Sequence, residues 1–226
     1  MQYEQEGTEE TEEQGNSLFP LFPPVQDSGA KETSMTTVGL MQPFSIDIDL
    51  VDGTMARPDR HLVRRASDMH GYYADEAALQ RLIAEDGDPV HYEVFEKAIP
   101  ESPGHLLLCI SKLLAGRVGE ECFMTKGHYH SVRGTGEVYL CLRGRGFMLM
   151  KTTDGQCAAE PMERNRMVYV PPHWAHRSIN AGDEPLVSFC VYPAEAGHNY
   201  GDIQTEGFPK RVLVRDGKVV IEEKER

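Results

Sequence analysis

Residues 127–143 read Gly127-His128-Tyr129-His130-Ser131-Val132-Arg133-Gly134-Thr135-Gly136-Glu137-Val138-Tyr139-Leu140-Cys141-Leu142-Arg143, and their periodicity decides the fold class. In an extended chain residues i and i+2 point to one face, so His128 and His130 can aim two imidazoles at one point. Gly134 and Gly136 lie between His130 and Glu137 and suit a turn. Glu137 then opens the alternating run Glu-Val-Tyr-Leu-Cys-Leu, whose next residue on the same face is Tyr139. A carboxylate on a neighbouring strand can face the point that the two imidazoles face.

Further along, Val170-Pro171-Pro172-His173-Trp174-Ala175-His176 reads as a turn running into a strand, with Asn180 beyond it. His176 can supply a fourth ligand. Three imidazoles and one carboxylate suit Fe, Mn, Ni, Co or Zn. They leave coordination positions free for water or substrate oxygens.

Around this centre the pattern stays β-like. Short apolar or alternating runs cover Val90 to Lys97, Leu106 to Leu114, Glu121 to Lys126, Glu137 to Arg143, Phe147 to Thr152, Met167 to Val170, Ala175 to Asn180 and Leu186 to Tyr192. Gly, Pro, Asp and Asn punctuate them, which predicts a mainly β sandwich or barrel. Arg211 to Arg215 and Lys218 to Ile221 flank Asp216-Gly217, a strong two-residue hairpin signal. One helix is expected, over about 75–86: Asp75 and Glu76 favour its start, and Gly87 with Pro89 ends it. Leu79, Leu82 and Ile83 give it a single apolar stripe.

Residues 1–40 differ in character. They hold eight acids and one base, −7 of the chain's formal −13, and read as a disordered acidic extension. Its Leu18 to Val25 stretch, with three prolines, reads as linker. Residues 41–226 then form a single domain. The net charge disfavours a nucleic-acid partner. No apolar run approaches the roughly 18 residues of a spanning helix, and the N-terminus lacks the basic start and apolar core of a secretion signal. The expectation is a cytoplasmic chain without membrane association. The five cysteines form no Cys-x-x-Cys pair and read as small buried residues in a reduced compartment.

His-x-His, then Glu137, then Gly144, then a Pro-containing turn and His176 resembles the two motifs of the cupin family. Ordinary cupins leave three or four residues between the second His and the Glu; here six intervene. That spacing is similar to the cupin-type glucose-6-phosphate isomerases of archaea and some bacteria. So are Phe-Met-Thr-Lys-Gly-His-Tyr-His, Gly-Glu-Val-Tyr, Tyr-Val-Pro-Pro-His-Trp-Ala-His-Arg and residues Tyr192 to Gly201. Arg64 to Met69 and Pro89 to Val94 extend the likeness, which covers roughly residues 60 to 215.

The resemblance implies a double-stranded β-helix (jelly-roll) barrel, a homodimer, and one divalent metal ion per subunit, iron before Mn, Ni, Co or Zn. It implies His128, His130, Glu137 and His176 as metal ligands, with His173 left out. It implies Tyr92, Ser111, Thr125, Gly127, Tyr192, His198 and Tyr200 around the substrate phosphate, Ser111 standing where the family has Thr. Hydroxyls and a glycine N–H can satisfy a phosphate with little positive charge. Lys126 alternates with Thr125 and is expected to face away.

The implied reaction moves a hydrogen between C1 and C2 of the sugar, through a cis-enediol or as a hydride. Glu137 is the candidate base and Tyr139 the candidate proton shuttle. Competing readings are an isomerase of another sugar phosphate such as mannose 6-phosphate, an Fe-dependent cupin oxygenase, and a non-catalytic sugar-phosphate sensor. An oxygenase would have no use for the Tyr192, His198 and Tyr200 group.

Overall fold

Turn residues cut the chain into short extended runs, and each run buries one face by pairing sideways with others. The computed structural model describes residues 41–224; the expected acidic extension and its Leu18 to Val25 stretch lie outside the described residues. Residues 41–44 carry no regular element, and the body that follows runs Ser45–Arg226.

Its elements are β1 (Ile48–Asp49), β2 (Thr54–Met55), β3 (Arg60–Arg65), a 3-10 turn at Ala66–Met69, α1 (Glu76–Asp86), β4 (Val90–Glu96), β5 (Leu106–Leu113), β6 (Arg117–Val118), β7 (Glu121–Cys122), β8 (Glu137–Arg143), β9 (Arg145–Lys151), β10 (Cys157–Glu163), β11 (Met167–Val170), β12 (Ala175–Asn180), β13 (Leu186–Pro193), α2 (Gly201–Glu206), β14 (Lys210–Arg215) and β15 (Lys218–Glu223). The fold is mainly β. Among the described residues two helices flank the sheets, one more than the sequence suggests. Among the described residues no helix is long and apolar enough to cross a membrane.

A six-stranded sheet runs in the order β11-β8-β13-β5-β4-β3, a three-stranded sheet in the order β10-β9-β12, and a four-stranded sheet in the order β15-β14-β7-β6. Every pairing within them is antiparallel. Buried side chains from the six- and three-stranded sheets share one core that includes Leu113, Tyr139 and Cys190 from the first and Met148, Met150 and Ile179 from the second. Fully burying a side chain of the Leu, Met or Ile class stabilises by about 1.5–3 kcal/mol. The outer face of the large sheet is covered separately: Phe95, Ile110 and Val187 pack with Met55 of the β1–β2 hairpin. Four of the five cysteines are buried and all five are free thiols.

Helix α1 starts where Asp75 accepts the Ala78 N–H at 2.8 Å and stops at Gly87, which is left-handed at φ 69°. Ala78 and Leu79 are buried, with Leu82 and Ile83 packed beside them on the main core. The β14–β15 turn places Asp216 and Gly217 at φ 49° and 72°, the positive pair a two-residue hairpin requires.

Three departures from the sequence pattern have physical causes. Strands β3 and β10, absent from the predicted set, are both sheet edges, and their Arg, His, Glu and Pro residues dilute the apolar alternation. The run expected from Glu121 to Lys126 is a strand only at Glu121–Cys122. Beyond that it meets β12 through the single bridge Met124–Ile179, then turns at Gly127, φ 75°. His128 and Tyr129 accordingly sit in isolated bridges, to His176 and Asn199, and not in a continuous ladder.

Candidate active site

Four side chains from separate parts of the barrel meet inside it. Glu137 is the first residue of β8 in the six-stranded sheet, and His176 is the second of β12 in the three-stranded sheet. His128 and His130 come from the segment between β7 and β8. The His128–His176 bridge, N–H to carbonyl in both directions at 3.1 and 3.0 Å, aligns them. One ligand atom from each of the four lies within 4.8 Å of the others. His130, Glu137 and His176 are almost fully buried.

The carboxylate Oε2 of Glu137 is 3.1 Å from His130 Nε2 and 2.9 Å from His176 Nε2. Two donors bound at right angles to one ion at about 2.1 Å stand about 3.0 Å apart, so this spacing suits a shared ion. The outward nitrogen of His130 fixes its tautomer. The Thr135 hydroxyl donates to the Val132 carbonyl at 2.7 Å, so it can only accept from His130. His130 Nδ1–H therefore donates to Thr135 Oγ1 and O, at 2.9 and 3.1 Å, and leaves a lone pair on Nε2. His128 Nε2 is buried with no hydrogen-bond partner, the state of a nitrogen placed to bind an ion. The donor set therefore fits a divalent metal.

Electrostatics agree with that fit. Burial, then the neighbouring His176, His198 and His130, holds His128 well below the usual imidazole range, so it stays neutral. Burial pushes the Glu137 carboxyl up, but the facing His130 and His176 rings, when their Nε2 atoms carry protons, outweigh it and bring the group down to about 2; a bound ion would take the place of those protons. Tyr139 sits 3.2 Å from His176 Nε2 through its hydroxyl; burial, then the Glu137 charge, pushes it well above the usual phenol range, so it keeps its proton.

Above the four lies a cavity of about 160 Å³. It is lined by Tyr92, Ser111, Thr125, Gly127, Glu137, Tyr139, Tyr192, His198 and Tyr200, together with His128. The two-residue period explains the convergence: Tyr92, Val94 and Glu96 of β4, Cys109 and Ser111 of β5, Glu137 and Tyr139 of β8, and Cys190 and Tyr192 of β13 present one face of one sheet. The Thr125 hydroxyl accepts the Ser178 N–H at 3.1 Å, which leaves its own proton for a ligand. The His198 ring lies 4.4 Å from that of His128 and stacks at 5.9 Å on Tyr200 at the mouth. A larger open groove of about 550 Å³ beside β10 and β11 contains no histidine or cysteine, so size does not pick out the site.

A comparison with known proteins adds a name to this geometry. The family described as glucose-6-phosphate isomerase (GPI) matches residues 63–226. The chain belongs to the glucose-6-phosphate isomerase family. It is 46% identical to a glucose-6-phosphate isomerase of Thermococcus litoralis over 182 residues, 80% of this chain and 95% of that protein. It is 43% identical to the one of Pyrococcus horikoshii over 180 residues, 80% and 94% of the two chains. Among solved structures, a Bacillus subtilis oxalate decarboxylase aligns with 46% of this chain and 26% of its own at 20% identity and a TM-score of 0.37, a partial likeness.

The residues named in the sequence as metal, phosphate and proton-transfer candidates lie at or beside this cavity, whereas His173 is exposed at φ 70°. Lys126 is a correction: it lines the cavity and does not face away. The regular strand ends at Cys122, so the two-residue alternation does not govern Thr125 and Lys126. Glu96, Cys109 and Cys190 were not anticipated, although the i+2 rule from Tyr92, Ser111 and Tyr192 points at each. Asn180 is structural: its amide donates to the Leu113 and Glu184 carbonyls at 3.0 and 2.9 Å and its oxygen accepts Gly182 N–H at 2.9 Å.

Proposed function

We propose that this glucose-6-phosphate isomerase interconverts glucose 6-phosphate and fructose 6-phosphate at a divalent ion held by His128, His130, Glu137 and His176, with iron preferred over Mn, Ni, Co or Zn. The observation that carries the reading is the closure of four buried donors within 4.8 Å, with the His130 tautomer set to leave Nε2 free. When bound, such an ion would stabilise negative charge developing on the sugar oxygens at C1 and C2.

The chain's own groups do the rest. Tyr92, Ser111, Thr125, Tyr192, His198 and Tyr200, with the Gly127 N–H, bind and orient the phosphate end. In the enediol route the Glu137 carboxylate takes the C2 proton and returns it at C1. Tyr139, whose hydroxyl keeps its proton, holds a hydrogen-bond donor at the same place. The buried Cys109, Cys190 and Tyr139 line the cavity beside the four donors and would keep water from the reacting carbons. The reading extends to a cytoplasmic homodimer serving glycolysis and gluconeogenesis.

The test is a coupled assay of glucose 6-phosphate formation from fructose 6-phosphate. Chelator-stripped protein is reloaded with each metal in turn, beside a Glu137→Gln variant. Turnover restored by metal and lost in the variant is expected. Full turnover by stripped protein would sink the metal assignment, and no turnover with any metal would sink the substrate.

A further inference from the structure

We propose that Lys126 and Arg64 form a cationic clamp on the substrate phosphate, with Arg177 as the positioning residue that holds the Lys126 loop; this rests on the sugar-phosphate reading and names the charge that its hydroxyl donors lack. A phosphate ester carries up to two negative charges at neutral pH. Tyr and Thr hydroxyls supply direction but no charge. The chain as a whole is formally −13, so its background field repels such a ligand. Only local cations reverse that field at the site.

Three cations converge on the wall that Thr125, Lys126 and Gly127 form. Lys126 lines the cavity, and its ammonium lies 5.3 Å from the Tyr72 ring centroid. No ion pair involves it among the described residues. Arg177 lies 5.9 Å from the same ring and is buried. It donates to the Lys126 carbonyl at 2.6 Å and to Met124 Sδ at 2.9 Å, with Phe208 under its guanidinium at 4.4 Å. The carbonyl bond pins the peptide that carries the Lys126 side chain.

Arg64 reaches the same region from β3. It is the cross-strand partner of Tyr92, and Leu62, two residues earlier on the same face of β3, lines the cavity. Its nearest acid, Asp68, is 3.8 Å away, and its Nε has no partner. A lysine gives a compact point charge and an arginine a planar fork, a pairing suited to a tetrahedral anion.

The experiment uses the metal-loaded enzyme and the variants Lys126→Met, Arg64→Met and Lys126→Arg. It measures KM and kcat for fructose 6-phosphate, and the affinities of 6-phosphogluconate and gluconate, which differ by the phosphate alone. Removing Lys126 is expected to raise KM about 10- to 100-fold, with a much smaller fall in kcat. The preference for 6-phosphogluconate over gluconate should fall by the same factor, and Lys126→Arg should recover most of it. Arg64→Met should act in the same direction, and kcat/KM should become less sensitive to salt in both Met variants. Unchanged discrimination between 6-phosphogluconate and gluconate, or a loss confined to kcat, would overturn the clamp. If the wild type fails to turn over fructose 6-phosphate, the reaction assignment falls, while the binding arm still decides the clamp.

Discussion

His91 should make this fold sensitive to mild acid. The ring is fully buried on β4, stacked on Phe123 at 3.7 Å and edge-on to Tyr73 at 5.8 Å, and neither ring nitrogen has a hydrogen-bond partner. Burial depresses its pKa to about 4; the Pro89 carbonyl and the Asp88 charge oppose this without cancelling it. In the unfolded chain the same group titrates near the ordinary imidazole value of about 6.5. The sign follows directly. Below about 6.5 the unfolded chain takes up a proton that the folded chain refuses, so stability falls with falling pH until the folded group titrates near 4. That difference corresponds to about 3 kcal/mol, of which about 2 kcal/mol is lost between pH 7 and pH 5. Other groups also titrate there, so the clean quantity is a difference of differences. Urea unfolding of the wild type and of His91→Leu, a substitution close in volume, would be followed at both pH values. The wild type is expected to lose about 2 kcal/mol more than the variant on going to pH 5. Equal losses would refute the reasoning and show that His91 accepts a proton without unfolding its surroundings.

Gly127→Ala should destabilise by about 1–2 kcal/mol through backbone strain alone. Its φ is 75° and the new Cβ would stand 3.0 Å from Arg177 Cβ, the His176 carbonyl and Phe208 Cε2, so a neutral denaturation midpoint would contradict the geometry. Thr135→Val removes the hydroxyl that accepts from His130 Nδ1 and should weaken metal affinity about 10- to 100-fold in a direct titration, with little change in the midpoint of the metal-free protein. Asn180→Ala abolishes three hydrogen bonds in a buried position and should destabilise by about 1–3 kcal/mol in urea unfolding. Adding a binding metal at about 100 times its Kd should stabilise the fold by about 2.7 kcal/mol, read as a raised thermal midpoint, because the unfolded chain disperses the four donors.

The centre was legible because its parts are written as local words. His128 and His130 sit two apart, Glu137 opens a strand, and His176 follows a Pro-Pro turn, so each ligand's direction follows from short-range periodicity. The Asp216-Gly217 hairpin and the capped helix α1 were legible for the same reason. What failed depended on neighbours distant in sequence. Strand β3 is extended because it pairs with β4, not because Arg-His-Leu-Val-Arg-Arg favours a strand. Helix α2 is a single short helix held by buried Ile203, by the Arg133–Asp202 ion pair at 2.6 Å and by the Asn199 side chain, none of which its own composition announces. Lys126 was expected, from its alternation with Thr125, to face away, but that stretch is no strand: the ladder ends at Cys122.

The turn at Gly127 explains how the site separates two demands that conflict electrostatically. The proposed ligands are three neutral imidazoles and one anionic carboxylate, which needs burial and the absence of competing cations. A phosphate needs cations within reach. Before Gly127, the chain presents Thr125 and Lys126 to the cavity wall, over Tyr72 and backed by Arg177. After it, the bridge to His176 turns His128 and His130 down to the floor beside Glu137. A glycine is required at the junction because only there does the backbone take φ 75° against the His176 carbonyl, with Arg177 and Phe208 filling the space a side chain would occupy. Six residues, Thr125 to His130, thus carry both the wall proposed to hold the phosphate and half of the proposed ligand set. On that proposal, their spacing along the chain sets the separation between the charged end of the substrate and its reacting carbons.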